Sequence, residues 1–146
     1  MGGIVFKRQG GSIKELDRTG KGVAVIATLN VVDSDDDVTL PGAFGQQEAK
    51  MVPAHDWAHV PIGKVAIREE GEQVLADFTM NLDIPAARDW HSALMFDMAN
   101  GRPLQEWSYG FTIEDAGQGQ HEGRAVRFLK RLKVHEISPV MRGAGV

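Results

Sequence analysis

The stretch E-W-S-Y-G-F-T, residues 106–112, decides how this chain is read. Taken with a period of two, Trp107, Tyr109, Phe111 and Ile113 fall on one face. Glu106, Ser108, Gly110 and Thr112 fall on the other. Such alternation marks a half-buried β-strand. Ser108 is then either one residue of a wetted face or a nucleophile mounted on a rigid strand. Gly110 shares its face and leaves room for another backbone to approach. The serine is not in a G-x-S-x-G elbow, because Glu106 stands two before it and no helix pattern follows.

Working outward, the rest of the chain also reads as mainly β. Ile4–Phe6 gives a short edge strand, joined by a loose connection around Gly10-Gly11 within residues 1–20. Val23–Val32 is rich in β-branched residues and reads as a long strand. Asp33–Asp37 is a polar loop, and Leu40-Pro-Gly-Ala-Phe44 a turn that opens a short helix through Lys50. Val52–Trp57 is a short strand or a strand end. Residues 62–69 and 73–81 form a hairpin around Glu70-Gly71-Glu72. One helix is well signalled, with Asp83 as N-cap, Pro85 in the first turn and Gly101 after the last periodic residue. Its apolar stripe is Ala87, Trp90, Leu94 and Met98. Gly117–Gly123 is a loop, and Arg124 to about Ser138 a final long strand. The expected fold is one mostly β (α+β) domain over residues 1–146, a small closed or nearly closed barrel of six to seven strands with one main helix and short helices around it.

Composition narrows the function classes. The chain has 146 residues, 42% hydrophobic and 25% charged, which suits a globular domain with a substantial core. Its net charge is −4, and its basic residues are scattered apart from the run Arg124–Lys133, so no nucleic-acid partner is expected. No apolar run approaches the ~20 residues that span a bilayer, and no membrane partner is expected. With no cysteine, disulfides, thiolate catalysis and cysteine-based zinc sites are excluded.

Several residues carry candidate chemistry. Asp33, Asp35 and Asp37 have the opening spacing of a calcium loop, but Val38 and Phe44 stand where that loop needs Gly and Glu. A solvated loop is the reading they support. His55 and His59 form an i, i+4 pair that could share a metal on a helix. Pro53 and Pro61 flank it, and the glutamate of H-E-x-x-H is missing. Neither a metal nor a cofactor is expected. One of the two histidines could instead serve as a general base. Glu136, if the strand's period holds past Lys130, shares a face with Val126, Phe128, Leu132 and Val134 and points to the apolar side. A carboxylate there needs a cation, a histidine or several donors. It is either a structural ion pair or the group that orients an imidazole. His135 faces the other way.

Four stretches in order resemble the caudovirus prohead serine proteases, the maturation proteases of tailed bacteriophages. They are V-D-S-D-D-D-V-T-L-P-G-A-F; V-P-A-H-D-W followed by P-I-G-K-V; W-S-Y-G-F; and H-E-I-S-P-V. Together they lie within residues 23–140, nearly the whole chain, in the family order. The resemblance implies a herpesvirus-protease-like fold and a serine endopeptidase with an acyl-enzyme. It places Ser108 as nucleophile, His55 as general base and Glu136 as the acidic third member, with His135 the fallback. His59 matches no family position. The implied substrates and partners are the major capsid protein, the scaffold protein or scaffolding segment, and the protease itself, inside the assembling procapsid in the host cytoplasm. A homodimer is suggested by the viral relatives. Family members often run longer, and the end at Arg142–Val146 fits a trimmed, self-processed or short protease. The alternative is a protein of this fold that assists capsid assembly without catalysis.

Overall fold

The computed structural model describes residues 3–9, 13–101 and 104–141. Nine strands and one α-helix follow in chain order: β1 (Val5–Gln9), β2 (Ile13–Leu16), β3 (Lys21–Thr28), β4 (Asp37–Thr39), β5 (Gln47–Met51), β6 (Gly63–Glu70), β7 (Gln73–Met80), α1 (Pro85–Ala99), β8 (Gln105–His121) and β9 (Arg124–Met141). They make a single sheet in the order β1-β8-β9-β5-β6-β7-β3-β2, with β4 pairing β9 off that path. The two N-terminal strands end up on opposite edges.

The sheet curls strongly into a half-barrel. The rings of Phe78 on β7 and Trp107 on β8 meet at 5.4 Å although three strands lie between them in the sheet order. Within the curl lies one core cluster that includes Ile26, Leu29, Met51, Phe78, Trp107, Phe111, Leu129 and Ile137. Among the described residues no pairing joins β1 to β2, so the closed barrel of six to seven strands is replaced by an open sheet of nine.

Several local expectations change with a physical reason. The segment expected to be helical up to Lys50 is β5, which pairs antiparallel with β6 and parallel with β9. Its alternating burial shows that pairing on both sides outweighs the helix preference of Glu, Ala and Lys. Val52–Trp57 is neither a short strand nor a strand end but holds a single 3-10 turn, Pro53–His55. The expected loop 117–123 is the tip of the long β8–β9 hairpin. Its two turn residues, Glu122 and Gly123, have φ of 53° and 81°, as a tight hairpin turn requires. The hairpin β6–β7 turns at Gly71, as the sequence indicates.

Helix α1 begins one residue later than Asp83 would allow. Pro85 occupies the first helical position, which makes Ile84 the N-cap, and no side chain caps it. Ala87 and Leu94 are buried and Trp90 packs against the core, but Met98 is exposed. In the last turn Asp97 takes the inward position, and its carboxylate accepts the backbone N–H groups of Leu104 and Gln105 at the start of β8. The expected Gly10-Gly11 connection and the chain end at 142–146 lie outside the described residues.

Candidate active site

The site is assembled on the inner end of the β8–β9 hairpin. Register pairs Ser108 with Ser138 and Gly110 with Glu136, so these four residues share one face. The pairing then shifts, and Phe111 lies opposite Val134. The extra residue, His135, is a bulge that resets the phase of β9. Val134 therefore faces the core with Phe111, whereas Glu136 joins the Ser108 face. The single uninterrupted period expected along β9 does not hold.

That face is not wetted. Ser108 is 2% exposed, Glu136 and Ser138 are fully buried, and residues 105–111 are buried on both sides of the strand. One cover is the chain leaving β5. Val52 N–H donates to Ile137 C=O, and the backbone turns at once through Pro53–His55. Ala54 and His55 both lie in the left-handed region, at φ 47° and 59°. Residues without glycine's freedom hold such angles only where surrounding contacts compensate, and the contacts here converge on His55. Its backbone N–H donates to Ser138 Oγ at 3.2 Å, and its Nδ1 lies 2.7 Å from Glu136 Oε1. Ser138 in turn donates its hydroxyl hydrogen to Glu136 Oε2.

A carboxylate accepts, so Nδ1 carries a hydrogen, and in the neutral ring Nε2 holds the lone pair. The histidine has its backbone and its ring tied to the same strand. Gly110 keeps the arrangement open. A Cβ at that position would lie 2.5 Å from Glu136 Oε1 and 2.8 Å from a ring carbon of Phe6.

Ser108 is engaged elsewhere. Its hydroxyl donates to the backbone carbonyl of Lys7 at 2.8 Å, and no hydrogen bond joins it to His55 among the described residues. His135 stands apart from the carboxylate, with its Nε2 2.7 Å from Thr112 Oγ1 and its ring near Trp57. His59 is exposed and pairs with Asp56, so the two histidines of H-D-W-A-H do not converge.

The second cover of this face is β1, which pairs antiparallel with β8. Phe6 lays its ring 4.4 Å from the His55 ring. Lys7 points the other way, into the aspartate loop, where its Nζ lies 2.7, 2.8 and 2.9 Å from Asp33, Asp35 and Asp37. The trio expected to be a solvated loop thus surrounds an ammonium. Asp33 also accepts the N–H groups of Asp35 and Asp37, which shapes the loop, and Arg127 grips Asp37 with two hydrogen bonds. Burial would lower the Lys7 pKa, but hydrogen bonds to three carboxylates outweigh it and hold the pKa above its ordinary value. For Asp37 burial acts upward, and Arg127 and Lys7 together overcome it and hold the carboxyl below its usual range. Burial, then the charges of these aspartates, push the Tyr109 phenol up.

Lys7 and Ser138 were not singled out by sequence reasoning. Ser138 carried a faint signal, since it follows Glu136 at period two in H-E-I-S. Lys7 carried none, because its partners lie some thirty residues away in the chain.

Comparison with family models finds one match, the caudovirus prohead serine protease family, over residues 21–145. Comparisons with curated proteins and with solved structures give no match. The matched region contains the aspartate loop, the His55 turn, and strands β8 and β9, and it begins after β1 and β2. With its family model matched from β3 to the end of β9, the chain belongs to the caudovirus prohead serine protease family.

Proposed function

We propose that this protein is a serine endopeptidase in which Ser108 attacks a peptide carbonyl, His55 takes its proton and Glu136 holds the imidazole. The reading rests on family membership and above all on one observation. A histidine held at left-handed φ has its Nδ1 on a fully buried carboxylate, on the face that carries Ser108. His55 Nε2 would accept the Ser108 proton as Oγ bonds to the carbonyl carbon, then return it to the leaving amine. An acyl-enzyme results, and water releases it by the reverse transfers. Ser138 is a positioning residue, since it fixes the second oxygen of Glu136 and the backbone of His55. Within this proposal the fold is of the herpesvirus-protease type. The substrates are capsid and scaffold precursors and the chain itself, cleaved inside the assembling procapsid in the host cytoplasm, and a homodimer is the assembly.

The experiment is co-assembly of Ser108→Ala with its capsid protein. Precursor cleavage is expected to fall at least about a thousandfold. Cleavage at the unaltered rate would mean that serine is not the nucleophile. A second reading, a capsid-assembly protein without catalysis, draws on the hydroxyl of Ser108 being bonded to Lys7 rather than to His55. A serine-directed fluorophosphonate separates the two. The protease is labelled, the label is lost in Ser108→Ala, and the non-catalytic protein takes no label in either form.

A further inference from the structure

Strand β1 is an unusual structural edge strand. Among its described side chains, the buried one is a lysine, while Phe6 is 48% exposed and Arg8 is exposed. It contributes little apolar area to the core, and it precedes the region matched by the family model. What it does contribute is main chain, paired with β8 along Val5–Gln9. Extended peptides bind sheet edges in this way, with backbone pairing for affinity and alternate side chains for selectivity.

Three features of that segment meet at or beside Lys7. The Lys7 carbonyl oxygen accepts the Ser108 hydroxyl. The Lys7 side chain enters the acidic cage of Asp33, Asp35 and Asp37. The residue before it, Phe6, holds its ring 4.4 Å from the His55 imidazole, tilted by 59°. A cleft of about 650 Å3 runs beside it, with Phe6, Arg8, Val31, Ser34, Asp35 and Tyr109 among its walls. One peptide residue therefore presents its carbonyl to the serine and its side chain to a charged pocket. That is the placement of a substrate residue on the acyl side of a scissile bond.

We propose that residues 5–9 lie in the peptide-binding cleft as this chain's own substrate strand, with Lys7–Arg8 the bond to be cut and the three aspartates a pocket selective for lysine. The inference rests on the serine-endopeptidase reading and adds its specificity. Hydrogen-bonded to the carbonyl oxygen, Ser108 is close to but not aligned for attack. Alignment brings Oγ to the carbonyl carbon and its proton to His55 Nε2. The Lys7 carbon then forms an ester with Oγ as its bond to Arg8 nitrogen breaks, and that nitrogen takes the proton. One water hydrolyses the ester, giving a carboxylate on Lys7, a free amine on Arg8 and the restored serine. Until then the strand covers the nucleophile.

Asp35 is the cage member to test, because its carboxylate meets Lys7 without also shaping the loop or holding Arg127. The full chain and Ser108→Ala are compared by intact mass and N-terminal sequencing. Synthetic peptides spanning residues 3–13, with Lys, Leu or Glu at position 7, are offered in parallel. Arg8 is expected as the new N-terminus in the unaltered chain only. The lysine peptide is expected to be cut after Lys at least about tenfold faster than the leucine peptide, the size of one charge-assisted contact, with the glutamate peptide slowest. Asp35→Asn is expected to lower the lysine-to-leucine ratio about tenfold, with its fold checked by melting temperature. An unaltered chain that stays whole at Lys7–Arg8, or a leucine peptide cut within about threefold of the lysine peptide, overturns the inference. Cleavage of the capsid precursor in co-assembly tells the failures apart. Where the unaltered chain cuts it and Ser108→Ala does not, the protease reading stands and the lysine pocket falls. Where neither cuts it, both fall.

Discussion

Two of the places where the described residues take negative charge out of water do so by opposite means. At Glu136 a single fully buried carboxylate is held by an imidazole on one oxygen and a hydroxyl on the other. At the aspartate loop three carboxylates surround one ammonium, and a guanidinium grips the most buried of them, Asp37. The first arrangement orients a ring that can change its proton count, and its partners come from the strand pair carrying Ser108. The second has two fixed cations and is strong but chemically inert. Its positive charge is carried partly by a segment that lies outside the family match. On the proposed reading, the difference separates a centre for proton transfer from one that grips a basic side chain.

The largest expected effect breaks the first arrangement without emptying it. Glu136→Gln keeps the size of the side chain but removes its charge, and it can offer an N–H where His55 Nδ1–H needs an acceptor. In the proposed triad this favours the wrong tautomer, and kcat/KM on a cleavable precursor should fall by roughly a thousandfold to ten-thousandfold. A variant that cuts within tenfold of the unaltered chain would show that the acid does not orient the base.

The same type of change at the other site should appear in stability. Asp37→Asn leaves Arg127 and Lys7 facing an amide in a position that is 1% exposed. Breaking a buried pair from one side costs about 3–5 kcal/mol, which for a chain of this size lowers the melting temperature by about 6 °C or more. Urea unfolding with an unchanged m-value would verify that stability alone has changed. A loss under 1 kcal/mol would mean that the loop exchanges these partners freely with water.

These contrasts were only partly legible in the sequence. The period-two pattern at 106–113 located β8 and its core face because tertiary structure agrees with it there. It could not show that the opposite face is also covered, since the covers are β1 and the turn after β5, both distant in the chain. The residues of the candidate site could be picked out by type and motif order, but not the way they meet. His55 reaches Glu136 through two left-handed residues in a segment that read as extended. Glu136 shares a face with Ser108 because of a bulge at His135, and an added residue leaves no mark in a hydrophobic pattern. The acidic loop read as solvated because the lysine that fills it is set there by strand pairing.

The cage also makes a pH prediction whose sign follows from its two shifts. Lys7 is held above its ordinary pKa, so its contribution to stability is complete below about 10.4 and is lost as pH rises through the higher folded value. Asp37 is held below its ordinary pKa, so its contribution is complete above about 3.9 and is lost as pH falls through the lower folded value. Melting temperature against pH should therefore differ between the unaltered chain and Lys7→Met by a steady amount between those limits. The gap should close on both the alkaline and the acid side. A gap that does not begin to narrow as pH rises past about 10.4 would show that Lys7 stabilises through its methylenes rather than its charge.

The smallest expected effect probes how the first site is held. Ala54 sits at φ 47° and ψ 40°, immediately before His55 at φ 59°. A left-handed alanine costs roughly 1–2 kcal/mol, which glycine does not incur, while glycine adds about 0.4–1 kcal/mol of chain entropy to the unfolded state. Ala54→Gly should therefore raise stability slightly, by about 0–1.6 kcal/mol, at about 2–4 °C in melting temperature per kcal/mol. Activity is where the two sites should diverge. If the strain is held by the contacts of His55 with Ser138 and Glu136, relaxing Ala54 leaves the imidazole in place, and cleavage should change by less than about threefold. A stabilised variant that loses cleavage would show the opposite, that the stiffness of residue 54 itself keeps His55 aimed at the carboxylate. In the aspartate cage, by contrast, the alignment of the carboxylates comes from backbone N–H groups on Asp33 and from Arg127, and should not respond to Ala54 at all.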